Sequence, residues 1–144
     1  MATILVIEDN LANMKLAVLL LGRAGHSLMS ATDAETGVAL AMSGEADLIL
    51  MDLQLPGMDG LKATALLKSD PKTARIPIIA LTALAMKEDR ERSRDAGCDA
   101  YIAKPLRYQE LYAAIDELLH ADGAIVNSDP FGLGVAAGFG SGKV

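Results

Sequence analysis

A chain of 144 residues that is 51% hydrophobic is long enough for one domain with a buried core. Its formal net charge of -6 argues against a nucleic-acid surface, and with no Trp, two Phe and three Tyr its core must be aliphatic. The single cysteine, Cys98, excludes an internal disulfide, and it predicts a small buried filler rather than a metal ligand because no second thiol exists.

The chain opens MATILVIEDN, which lacks the basic segment of a signal peptide. Ile4 to Ile7 form a continuous, β-branched apolar run, the pattern of a strand buried on both faces, and the run stops at Glu8-Asp9-Asn10. Leu11, Met14, Val18 and Leu21 then follow helical spacing, with Asn10 as a candidate cap and Gly22 and Gly25 at the exit. A weaker strand covers 27–31, and a helix from about Ala34 to Ser43 ends at Gly44. Leu48 to Met51 read as the third strand, leading into Asp52. The loop 53–60 is rich in turn formers, and a short helix follows from Leu61 to Lys68. The fourth strand is expected over 76–81 and ends at Thr82, with Pro77 tolerated at its beginning. Met86 to Ala96 is almost wholly polar and reads as a helix with a thin buried stripe, stopped by Gly97. A fifth strand, 100–103, runs into Lys104-Pro105, and a last helix spans about Tyr108 to His120. No apolar run approaches the ~20 residues of a membrane helix, so the expectation is a cytoplasmic domain with no membrane contact.

Strand alternating with helix five times implies an α/β fold, (βα)5, with parallel strands and right-handed crossovers. We expect a five-stranded, doubly wound sheet of flavodoxin-like order 2-1-3-4-5. In such sheets ligands bind outside the carboxyl ends of the strands, near the switch point in strand order. Four of those ends carry polar residues: Glu8 and Asp9, Asp52, Thr82, and Lys104. Strands one, three, four and five would be neighbours, so these side chains should converge. Like charges ~4 Å apart repel by about 4 kcal/mol at an effective dielectric of 20, so three carboxylates in one pocket call for a cation or shifted pKa values. Lys104 supplies one charge. The candidate ligands are all hard oxygens, which points to Mg²⁺, with Mn²⁺ as the related choice. A carboxylate in that setting can attack phosphorus. Asp52, single and central, is the best nucleophile; Lys104 and a cation would neutralise the transferring group, and the Thr82 hydroxyl could donate to it. Each residue alone has an ordinary explanation as a cap, turn or surface side chain. The set of four strand ends with complementary charge does not.

IEDN at 7–10, LILMDLQLPGMDG at 48–60, IIALTALAMKEDR at 78–90 and AGCDAYIAKPL at 96–106 resemble response regulator receiver domains, above all DivK-like single-domain regulators and the receivers of hybrid kinases. The resemblance covers about residues 2–120. It implies a two-component signalling protein that accepts a phosphoryl group on Asp52 from a histidine kinase or phosphotransfer protein, rather than an enzyme with an external substrate. It implies direct Mg²⁺ binding by Asp9, Asp52 and the main-chain carbonyl of Gln54, with Glu8 acting through water. Thr82 and Lys104 would hold phosphoryl oxygens, Lys104-Pro105 would be a cis peptide, and Tyr101 would be an aromatic switch. That switch would alter the face made by the fourth helix, fifth strand and fifth helix, where a downstream protein docks. The resemblance also implies that Gln54 and Leu84 are positions that influence how long the phosphoryl group survives. A monomer or weak dimer is expected.

Two other chemistries share this architecture. A haloacid-dehalogenase-like phosphatase needs a second acid two residues after its nucleophile, where this chain has Gln54. A flavodoxin-like carrier needs a phosphate-binding loop after the first strand, where this chain has acids. The receiver is expected over 1–121. The remainder, 122–144, reads as a Gly-rich flexible tail or linker remnant, and its GSGK lacks the full pattern of a phosphate-binding loop. Both a free-standing regulator and a receiver cut from a larger protein fit the sequence, and the free-standing form is favoured.

Overall fold

The computed structural model describes residues 2–83, 86–119 and Phe131. Within them ten elements alternate: β1 (Thr3–Ile7), α1 (Leu11–Arg23), β2 (Ser27–Ala31), α2 (Ala34–Met42), β3 (Leu48–Asp52), α3 (Gly60–Ser69), β4 (Ile78–Thr82), α4 (Lys87–Ala96), β5 (Ala100–Ala103) and α5 (Tyr108–Leu119). All strand pairs are parallel, and their order is β2-β1-β3-β4-β5, the doubly wound arrangement expected.

The continuous apolar runs have the burial they predict. Leu5 and Ile7 of β1, Ile49 and Met51 of β3, and Ile78 and Ala80 of β4 face one layer, packed with Ala34 and Ala41 of α2 and Ala63 and Leu67 of α3. Their alternates Ile4, Val6, Leu48, Leu50, Ile79 and Leu81 face the other, packed with Ala17 and Leu21 of α1 and Leu111 and Ile115 of α5. The side-chain period of two along each strand divides the core in this way. Cys98 is buried in the first layer beside Thr64, and burial pushes its thiol up to about 11, which suits an inert filler. α4 buries only Ser93, the thin stripe its polar sequence foretold.

Helix ends follow their capping residues. Asn10 accepts from the Asn13 N–H, Asp33 from Thr36 and Asp59 from Lys62. Gly97 ends α4 with φ of 110°, a conformation costly to any side chain bearing a Cβ.

β4 begins at Ile78, two residues later than its apolar pattern suggested. Ile76 instead closes a turn by donating to the Thr73 carbonyl, and Pro77 has no N–H to give the ladder. The end of the last helix at His120, Leu84, and the expected tail 122–144 apart from Phe131 lie outside the described residues; Phe131 is buried in the first core layer.

One polar lock was not anticipated. Lys68 Nζ donates to the carbonyls of Ala74 and Ile76 and to Asp99 Oδ2, which also accepts from the Ile78 N–H. The cluster ties the end of α3 to the starts of β4 and β5. Lys68→Met would strip two carbonyls and a carboxylate of their shared donor. Because the pair is partly exposed, the expected loss is about 1–2 kcal/mol, read by urea denaturation.

Candidate functional site

The carboxyl ends of β1, β3, β4 and β5 form one rim, and each contributes a polar group there. Asp52 closes β3 opposite Leu81 and is 1% exposed. Glu8 follows β1 and is equally buried, while Asp9 beside it is exposed. Glu8, Asp9 and Asp52 each present a carboxylate oxygen, all within 4.8 Å of one another. Lys104, just past β5, reaches Glu8 Oε1 at 3.0 Å and Asp52 Oδ2 at 3.4 Å. Its own N–H donates to the Thr82 carbonyl, which aligns the ends of β4 and β5.

The hydrogen bonds around the rim show how the backbone aims these groups. The Gln54 N–H donates to Asp52 Oδ1 at 3.0 Å, and the Asn10 N–H donates to Glu8 Oε2 at 3.0 Å. Both are short-range turns after a strand, so each acid is fixed by the residue two places on. Thr82 is 2% exposed at the last position of β4. Lys104-Pro105 is a cis peptide. Tyr101, opposite Ala80 in β5, is half-buried against the first core layer, and its phenol is pushed up by burial, with Asp89 of α4 adding and Arg90 opposing.

Electrostatics single out Asp52. Burial pushes its carboxyl up to about 7; Glu8 beside it adds to the rise, while the Gln54 N–H and the Lys104 ammonium oppose it. One lysine cannot neutralise three acids. Glu8 Oε1, buried and without a hydrogen bond of good geometry, has lone-pair capacity to spare. Three acids sharing one lysine, all offering oxygen, fit a hard divalent cation such as Mg²⁺.

The family model for the response regulator receiver domain matches residues 4–116. The chain belongs to this receiver family. The polar-differentiation response regulator DivK of Brucella anthropi is 41% identical over 117 residues, 81% of this chain and 95% of that one, and DivK of Brucella ovis matches to the same extent. Among crystal structures, the receiver domain of the sensor histidine kinase PA1611 of Pseudomonas aeruginosa, with a magnesium ion coordinated in its active-site cleft, superposes with a TM-score of 0.78 at 35% identity, covering 83% of this chain and 98% of that one. The CheY-like receiver domain protein of Methanospirillum hungatei gives 0.77 at 28%, covering 84% and 95%.

In this receiver the residues expected from sequence, Glu8, Asp9, Asp52, Thr82 and Lys104, stand at one rim, and Gln54 borders it; Tyr101 lies farther back along β5. Two features of the rim escaped sequence reasoning. Gly60 packs so closely behind Asp52 that a Cβ there would meet the Asp52 carbonyl oxygen and come within 2.7 Å of Leu53 Cα. The Asp59-Gly60 pair announced a turn, but not that contact. The Gln54 side chain accepts from the Ala83 N–H, a link across 29 residues with no local signature. A cavity of about 830 Å³ lies at the opposite end of the sheet from Glu8, Asp9 and Asp52, against Ala2, His26, Asp47, Pro77 and Leu119. Among the described residues no helix is long and apolar enough to cross a membrane.

Proposed function

We propose that this receiver is a Mg²⁺-dependent phosphoacceptor of two-component signalling, with Asp52 as the residue modified. The observation that carries the reading is the buried Asp52 carboxylate, held between Glu8, Asp9 and the Lys104 ammonium at a strand end. One Asp52 oxygen attacks phosphorus while the donor's bond to phosphorus breaks and its electron pair leaves with the donor. The Gln54 N–H fixes the other oxygen. Lys104 lies close enough to shift from pairing with Asp52 to pairing with the incoming phosphoryl oxygens, and Thr82, buried at the end of β4, supplies a hydroxyl. Asp9, Asp52, the Gln54 main-chain carbonyl and, through water, Glu8 would hold Mg²⁺, which supplies positive charge against the transferring group. Mn²⁺, with similar ligand demands, is a workable substitute.

Phosphorylation adds charge and acceptor oxygens at a site that is already crowded with acids. Thr82 drawn toward those oxygens leaves space behind it for Tyr101, and the face of α4, β5 and α5 changes. The donor is a histidine kinase or phosphotransfer protein, and the changed face is where a downstream protein docks. The unit acts as a cytoplasmic switch over residues 1–121, not as an enzyme turning over an external substrate.

Incubating the protein with Mg²⁺ and acetyl phosphate, and separately with beryllofluoride, tests this. The amide spectrum around residues 52, 82 and 104 should shift, and chelating the magnesium should abolish labelling. Labelling that survives chelation would reject the metal assignment.

A further inference from the structure

Gln54 grips two strand ends at once. Its main-chain N–H donates to Asp52 Oδ1 at 3.0 Å, and its side-chain Oε1 accepts from the Ala83 N–H at 3.3 Å. Ala83 is the residue directly after Thr82. A single side chain therefore ties the loop after β3, which carries the acceptor carboxylate, to the first residue beyond β4. Gln54 and Thr82 also border a cavity of about 110 Å³ together with Asp89 and Arg92 of α4, so there is room beside this link for the segment to shift.

We propose that the Gln54 side chain is a latch on the unmodified state: a positioning residue that engages the Ala83 N–H, and so fixes the segment that carries Thr82 in its resting place, until phosphorylation moves that segment. This rests on the phosphoacceptor reading above. Its physical basis is differential stabilisation. A contact present in one of two states biases the equilibrium by its own free energy and by nothing more. A neutral amide-to-amide hydrogen bond of 3.3 Å at an exposed position is weak enough to be broken by charge-assisted hydrogen bonds to a phosphoryl group. Its own free energy makes the active-like arrangement about 3- to 10-fold scarcer beforehand. The phosphoryl group thus overcomes Gln54 as well as the repulsion of Glu8 and Asp9. The glutamine sets how readily the domain switches, through its side chain, apart from any ligand role of its main-chain carbonyl.

The test uses the full chain with Gln54→Met, which keeps the length of the side chain and the main-chain carbonyl but removes the acceptor, and Gln54→Glu, which retains an acceptor. Hydrogen exchange at the Ala83 amide is followed without ligand, and beryllofluoride is titrated at saturating Mg²⁺. In Gln54→Met the Ala83 amide should exchange about 3- to 10-fold faster and beryllofluoride should bind tighter by a similar factor. Gln54→Glu should keep Ala83 exchange close to that of the wild type. Wild-type exchange or unimproved beryllofluoride affinity in Gln54→Met overturns the latch. A wild-type protein that binds no beryllofluoride overturns the phosphoacceptor reading instead, which separates the two failures.

Discussion

Asp52→Asn should take up no phosphoryl group from acetyl phosphate or from a kinase, a loss of at least about 10³-fold in labelling rate. The amide nitrogen is no nucleophile at phosphorus, and no other described acid has both the burial and the contact with Lys104 to replace Asp52 except Glu8, whose side chain is already claimed by the Asn10 N–H. Labelling of the Asp52→Asn protein at the wild-type rate would remove Asp52 from the central role.

The same substitution should stabilise the unliganded fold at high pH. The Asp52 carboxyl is raised from its usual 3.8 to about 7, chiefly by burial. Between about pH 4 and 7 the folded protein therefore holds a proton that the unfolded chain has released. Stability conferred by that proton is present in full at low pH, falls as pH rises through this window, and is gone above about 7. The carboxamide that Asp52→Asn introduces has no proton to lose over this range. At pH 8 without Mg²⁺ the variant should be more stable than the parent by about 2–4 kcal/mol, the gap closing toward pH 4. Urea melts at the two pH values decide it. Added Mg²⁺ should narrow the gap at pH 8 by stabilising the parent.

Gly60→Ala should be the most damaging small substitution. The added methyl meets the backbone of residues 52 and 53, not the flexible end of a side chain, so relief must come from moving either the start of α3 or the end of β3. Both are pinned: the Gly60 N–H donates to the Leu53 carbonyl, and the buried Thr64 hydroxyl donates to the Gly60 carbonyl. The expected loss is about 3 kcal/mol, with Mg²⁺ affinity falling in parallel because the displaced backbone carries Asp52. The contrast is Gly37, where the three atoms nearest an added Cβ all belong to the Ile7 side chain, so relief calls for re-packing a buried, β-branched residue but not for moving backbone. Gly37→Ala should cost less than Gly60→Ala, and equal midpoints in urea would show that the backbone contact at Gly60 yields freely.

Local patterns in the chain were enough for the element order, the parallel sheet and its strand order, and the four strand ends on which polar residues fall, because each depends on periodicity and on the handedness of short crossovers. Continuous apolar runs such as Leu48 to Met51 can be satisfied only between two layers of helices. Only the folded arrangement set how closely the acids approach, that Lys104 lies nearer Glu8 than Asp52, and which backbone atoms press on Gly60. It also set the pairing of Lys68 with Asp99 and of Gln54 with Ala83, 31 and 29 residues apart. Such contacts depend on strand register and on the final few ångströms of loop path. No local pattern encodes either, since the same residues at the same strand ends would read identically with the register shifted by two.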